Sequence, residues 1–192
     1  MNYIESLGKK AKAAEPFINS ASTAAKNKAL AEISAALRNN TELIIKQNEL
    51  DRINAKENGM SESMQDRLRL DASRIEGIAS AVDQLIELTD PVGQITDGYT
   101  RPNGLQIIKT RVPMGVIGMI YEARPNVTFD VFSLCFKAGS ACILKGGKEA
   151  QFSNAAIIEV INKVLIKFGI NSNSVTLLDN DSSFSTELFT AV

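Results

Sequence analysis

The sequence predicts an α/β chain in which a set of helices is followed by half of a doubly wound parallel sheet, incomplete at its far end. Three observations predict it. Apolar residues recur at helical spacing through residues 1–90, a cluster of Gly and Pro breaks the pattern near Val92, and short apolar runs then alternate with amphipathic helices from Pro113 onward.

The helical part comes first. Leu30, Ile33 and Leu37 form one apolar stripe. Thr41 is placed to cap the next helix, and Asn58-Gly59 suits its C-terminal end. Asp71 can cap a further helix with Ile75, Ile78, Ala79, Val82, Leu85 and Ile86 on one face. Thr89-Asp90-Pro91 stops it. The stripes read as core, and the Lys and Glu between them as a solvated face.

Gly93, Gly98, Pro102 and Gly104 then punctuate the chain. Asn103-Gly104 reads as a two-residue hairpin turn, with Leu105 to Val112 as a strand beyond it. Such a hairpin is either an arm that pairs with another chain or a twisted ribbon on its own domain. From Pro113 the order is strand, helix, strand, helix, strand. Val116–Ile120 suits a strand buried on both faces, and Phe129, Phe132 and Phe136 mark a helix ended by Ala138-Gly139. Ala141–Leu144 is a second buried strand, Gln151–Phe168 an amphipathic helix with Gly169 at C′, and Val175–Leu178 a third strand. Right-handed crossovers make the three strands parallel. The expected organisation is residues 1–98 as a helical part of a cofactor-binding domain, 99–112 as a hairpin arm, and 113–192 as its first βαβαβ part.

Composition excludes several function classes. The 192 residues hold 21 Lys+Arg, 22 Asp+Glu, two Cys and no His. Without His there is no Ser-His-Asp triad, Cys-His pair, His metal ligand or imidazole switch within the sequence. A net charge of −1 gives no electrostatic footprint for nucleic acid or an anionic membrane. Two Cys cannot build a zinc site alone, so no metal is expected, and they suit a reduced, cytoplasmic setting. Lys9, Lys10 and Lys12 are not followed by the apolar segment of a signal peptide.

Ligands of an open α/β sheet gather at the carboxyl ends of its strands. That rule selects Tyr121–Asn126 and Lys145–Lys148. Asn126 can present its amide to a developing oxyanion, or act as a helix cap. Arg124 can clamp a carboxylate or phosphate, or serve as a surface ion-pair partner. In Lys145-Gly146-Gly147-Lys148, glycines permit close backbone approach and lysines offer charges to phosphate or ribose oxygens, or the segment is a solvated glycine turn. There is no GxxxxGK[ST] loop and no GxGxxG. Cys135, in the Phe-rich helix, and Cys142, in an apolar strand, read as buried, unactivated thiols.

Val112–Asp130 (VPMGVIGMIYEARPNVTFD), Lys137–Ala150 (KAGSACILKGGKEA), Met64-Gln65-Asp66-Arg67-Leu68 and Asp90-Pro91-Val92-Gly93 together resemble the aldehyde dehydrogenase superfamily, and within it the γ-glutamyl phosphate reductase (glutamate-5-semialdehyde dehydrogenase) family. The run YEARPNVT is the most specific part, and the resemblance extends over essentially the whole chain. It implies an aldehyde dehydrogenase-like fold and NADPH-dependent reduction of L-glutamyl 5-phosphate to L-glutamate 5-semialdehyde and phosphate, by way of a Cys thioester. Asn126 matches the superfamily's oxyanion Asn, and Lys145 the Lys that holds the adenosine ribose. Gly146 and Gly147 lie between it and Lys148. That Lys stands where NAD-preferring relatives often carry Glu, which implies NADPH over NADH. Glu122 and Arg124 are implied neighbours of the substrate. The resemblance also implies a homo-oligomer and association with glutamate 5-kinase. Neither Cys stands at the family's nucleophile position, and the family's chains are about twice as long or more. An N-terminal portion without the catalytic domain, inactive alone, is therefore expected. The alternatives are another acylating aldehyde dehydrogenase and a non-catalytic nucleotide-binding or oligomerising module.

Overall fold

The computed structural model describes residues 3–178; the expected continuation through 179–192 lies outside them. Five helices come first: α1 (Tyr3–Asn19), α2 (Thr23–Asn39), α3 (Thr41–Glu57), α4 (Glu62–Leu68) and α5 (Ala72–Glu87). Ser22 caps α2 by accepting from the Ala25 N–H, and Asp71 caps α5 by accepting from the Arg74 N–H. Thr41 does not cap α3. Asn40 holds the cap position, and the Thr41 hydroxyl bonds back to the Arg38 carbonyl at 2.8 Å. The Leu30, Ile33 and Leu37 stripe is fully buried, as its spacing requires. The short α4 has too few turns to show a periodic stripe in the sequence.

The expectation that lysines between the stripes are solvated fails at Lys26, which is 1% exposed. Its Nζ lies 2.5 Å from Asp90 Oδ2 and donates to the Lys137 carbonyl at 3.0 Å. Lys137 is buried too and donates to Asn27 Oδ1 and the Ile86 carbonyl. Helix periodicity assigns these positions inward; only tertiary partners make a buried ammonium tolerable.

Strands β1 (Ile95–Thr100) and β2 (Gln106–Thr110) form an antiparallel ribbon. It begins at Ile95, ahead of the expected 99. The turn is longer than the expected two residues: Arg101 N–H bonds to the Leu105 carbonyl, Gly104 N–H to the Arg101 carbonyl, and Gly104 alone has positive φ, at 86°. Pro102 thus sits where a type I turn favours it.

The second sheet has three parallel strands in the order β3 (Val116–Ile120), β4 (Ala141–Lys145), β5 (Val175–Leu177). Helix α6 (Pro125–Lys137) joins β3 to β4, and α7 (Gln151–Lys167) joins β4 to β5. The two helices pack together on one face, while α1 packs against β4 from the other; α2, α3 and α5 form the next layer over α6 and α7. Strand β4 is buried throughout, as expected. Strand β3 is not: it lies at the edge, with Gly118 and Met119 exposed. Its unbroken apolar run could not distinguish an edge from a centre. One core of Phe129, Phe132, Phe136, Ile143, Leu144, Ile157, Ile161 and the α2 and α5 stripes joins sheet and helices. Among the described residues, no helix is long and apolar enough to cross a membrane.

Candidate functional site

The parallel register sets Ile120 opposite Lys145, and the Tyr121 N–H continues the ladder to the Lys145 carbonyl at 3.0 Å. The segments after β3 and β4 therefore leave the sheet side by side. Side chains fix them further. Glu149, in a single 3₁₀ turn (Lys148–Ala150), accepts from the Ala123 N–H at 2.8 Å. The Tyr121 hydroxyl meets Thr128 Oγ1 at 2.5 Å, and Thr128 donates to Asn154 Oδ1 at 2.7 Å. Burial pushes the Tyr121 phenol up to about 12, so it stays a neutral hydroxyl. Gly146 is obligatory here: a Cβ would fall 2.2 Å from Asn154 Nδ2. Thr128, Glu149 and Asn154 escape a motif reading, because only tertiary packing shows that they brace the two loops.

Three adjoining hollows run along this edge. The first, of about 420 Å³, is lined by Ile120, Tyr121, Glu122 and the whole run Lys145–Glu149. The second, about 460 Å³, shares Met64, Tyr121 and Glu122 with it and adds Arg124 and Arg67. The third, about 390 Å³, shares Arg67 with the second and holds Asn126, Asp130, Arg69 and Arg74. Asn126 thus opens beyond Arg67 and not onto the lysine end. Arg67 lies within the Met64–Leu68 motif, where sequence alone assigns it no role.

Each expected site residue can be placed on this edge. Lys145 is 5% exposed, and its Nζ donates only to the Gly146 carbonyl, at 3.2 Å, with no ion pair among the described residues. A buried ammonium so sparsely compensated, lining a hollow, fits an oxygen-rich ligand such as ribose or phosphate. Lys148 is exposed at the rim. Glu122 and Arg124 are exposed, and neither side chain makes a hydrogen bond or ion pair among the described residues. Arg124 holds the cap position of α6 with Pro125 first in the helix, so Asn126 is not the cap. Instead the Asn126 Nδ2 donates to Asp130 Oδ2, one turn on, at 3.2 Å. Burial holds the Asp130 carboxyl above its ordinary value, though the Asn126 bond opposes this.

The two thiols are 6% and 1% exposed and line none of the three hollows. Cys142 is held well above its ordinary 9.0 by its hydrogen bond with Cys135 and by burial. It is no thiolate nucleophile. Among the described residues no cluster of Cys, Asp and Glu could hold a metal.

The arrangement can bind an oxygen-rich, anionic ligand at one end and offer an amide to a carbonyl oxygen at the other. No family model matches the chain. Solved structures do. The γ-glutamyl phosphate reductase of Thermotoga maritima is similar over 97% of this chain at 37% identity, with a TM-score of 0.94. That of Saccharomyces cerevisiae is similar over 95% at 29% identity, with a TM-score of 0.88. An acetylating aldehyde dehydrogenase from Geobacillus thermoglucosidasius shares the fold, with a TM-score of 0.70 at 12% identity. The chain spans 45% and 48% of the length of the first two.

Proposed function

Because the chain belongs to the γ-glutamyl phosphate reductase branch of the aldehyde dehydrogenase superfamily, we propose that it supplies the cofactor-binding and oxyanion-stabilising part of an NADPH-dependent reduction of L-glutamyl 5-phosphate to L-glutamate 5-semialdehyde and phosphate, in proline biosynthesis. The observation that carries this reading is the register-locked pairing of Tyr121–Asn126 with Lys145–Lys148 at the carboxyl ends of β3 and β4.

When bound, the nicotinamide supplies a hydride. The chain's own residues bind and orient. Lys145, buried and lining the hollow, would hold ribose oxygens. Gly147 keeps the loop low beside Glu149, since a Cβ there would fall 2.2 Å from Glu149 Oε1. Lys148, exposed at the rim of the same hollow, would supply positive charge to a 2′-phosphate. Asn126 donates one amide N–H to Asp130 and keeps the other for the oxygen of the reacting carbonyl, where developing negative charge makes the bond strongest. The thiolate that the reaction needs is neither Cys135 nor Cys142, both buried away from the hollows. The 192-residue chain is accordingly expected to bind cofactor without turnover.

Titrating the chain with NADPH and NADH, followed by nicotinamide fluorescence, tests the cofactor assignment. NADPH should bind about tenfold more tightly, and Lys148→Glu should erase that preference while moving NADH affinity by less than about twofold. Equal affinities in the wild type, or an unchanged preference in Lys148→Glu, would contradict it.

A further inference from the structure

Arg67 stands in the last turn of α4, and its side chain makes no hydrogen bond or ion pair among the described residues. Its neighbours have used the nearby carboxylates. Arg74 Nη2 lies 2.9 Å from Asp66 Oδ1, and Arg69 lies 3.6 Å from Asp66 and 3.7 Å from Asp71. Arg74 also donates to the Arg69 carbonyl. Arg67 is thus left as an uncompensated guanidinium in an otherwise interlocked cluster.

Its place is well fixed. Leu68, the next residue, is fully buried, and Asn48 grips both sides of it: Nδ2 donates to the Leu68 carbonyl and Oδ1 accepts from the Leu70 N–H, each at 2.8 Å. Asn48 also donates to the Oγ of Ser153, at the start of α7, and the Ser153 hydroxyl and N–H donate to the buried Asp51 of α3. The backbone beneath Arg67 is therefore tied to the helix that follows the Lys145–Lys148 loop. Arg67 forms the wall shared by the hollow of Arg124 and the hollow of Asn126.

Resting on the function proposed above, we infer that Arg67, together with Arg124, is the binding site for the phosphate group of the acyl phosphate substrate. Arg67 and Arg124 line one hollow, and neither guanidinium is paired to a carboxylate among the described residues, whereas Arg69 and Arg74 beside Asn126 are already engaged by Asp66 and Asp71; two unpaired guanidiniums suit a dianion. In an acyl phosphate, the phosphate and the carbonyl oxygen sit on the same carbon. A donor for that oxygen at Asn126 requires the phosphate subsite beside it, where Arg67 stands. The α-carboxylate of a glutamyl group lies at the opposite end of the chain. The site would favour acyl phosphates over thioesters, which bring no phosphate to this carbon.

The test uses ¹H–¹⁵N spectra of the full 192-residue chain titrated with inorganic phosphate at constant ionic strength, with chloride as the blank and L-glutamate in a parallel series. Phosphate should give saturable shifts at the Arg67 and Arg124 Nε–H groups and at the Asn126 amide. Arg67→Gln should weaken binding about tenfold, with Arg67→Lys restoring part of it. Arg52→Gln, whose partner is Glu49 on the surface of α3, should change nothing. Unchanged phosphate affinity in a folded Arg67→Gln, or a response at Arg67 to L-glutamate and not to phosphate, would overturn the assignment. NADPH shifts at Lys145–Lys148 without a phosphate response at Arg67 would reject this subsite and leave the function standing. The reverse pattern would uphold the anion site and reject the function.

Discussion

Asp90 shows how a single side chain ties the helical part to the sheet. It accepts from Lys26, from the Thr23 hydroxyl at 2.9 Å and from the Val92 N–H at 3.0 Å. Burial alone would raise its carboxyl, and these bonds together hold it below its ordinary 3.8. Asp90→Asn leaves the Lys26 ammonium buried without a counter-charge. It should lower stability by about 3 kcal/mol near neutral pH, measured by urea denaturation. A depressed folded-state pKa contributes stability that is present above the unfolded value and lost as pH falls through the folded one. The difference between wild type and variant should therefore shrink below about pH 4. Asp51 and Asp130 work in the opposite sense, because burial raises both carboxyls; their contribution is present at low pH and lost as pH rises through the folded values. A variant within about 0.5 kcal/mol of wild type at pH 7 would show that the pair is dispensable. None of this was legible beforehand. A lysine in a helix looks the same whether its ammonium meets water or a buried carboxylate.

Among the elements, those with a local physical signature were legible. Gly139 and Gly169 end α6 and α7 with φ of 75° and 67°, as their place after each apolar run indicates. Strand β4 is an apolar run and is buried. The elements that local signals misplace or miss are different: β3 has a central strand's composition at an edge, and α4 is too short for periodicity. The ribbon was legible as a hairpin, but its connection was not, because Pro102 and Gly104 define a turn longer than Asn103-Gly104 alone suggests. Its exposure is the notable property: Ile95, Tyr99 and Ile108 are 66%, 54% and 58% exposed. A two-stranded ribbon is marginal by itself. Of the two readings of this hairpin, an arm requires pairing with a second copy of the chain and a ribbon on its own domain does not. For an arm, wild type should elute as a dimer or larger on a sizing column, and Ile108→Lys as a monomer. A monomeric wild type at about 100 μM would contradict the pairing.

At the scale of the whole molecule, a net charge of −1 conceals a polarised edge. Arg67, Arg69, Arg74, Arg124, Lys145 and Lys148 line the three hollows against Glu122, Asp130 and a Glu149 already engaged by the Ala123 N–H. Composition could argue only that no large basic surface exists. The strand-end rule identified the two loops, because it follows from the topology of parallel sheets. It could not identify Arg67, which reaches the same edge from a helix far upstream in sequence. The central claim is that this edge receives a dinucleotide at its lysine end. A crystal structure of the chain grown with NADPH tests it most directly. The adenosine ribose should lie within hydrogen-bond distance of Lys145 Nζ, with the 2′-phosphate facing Lys148; NADPH bound elsewhere on the chain, or contacting neither lysine, would contradict the account.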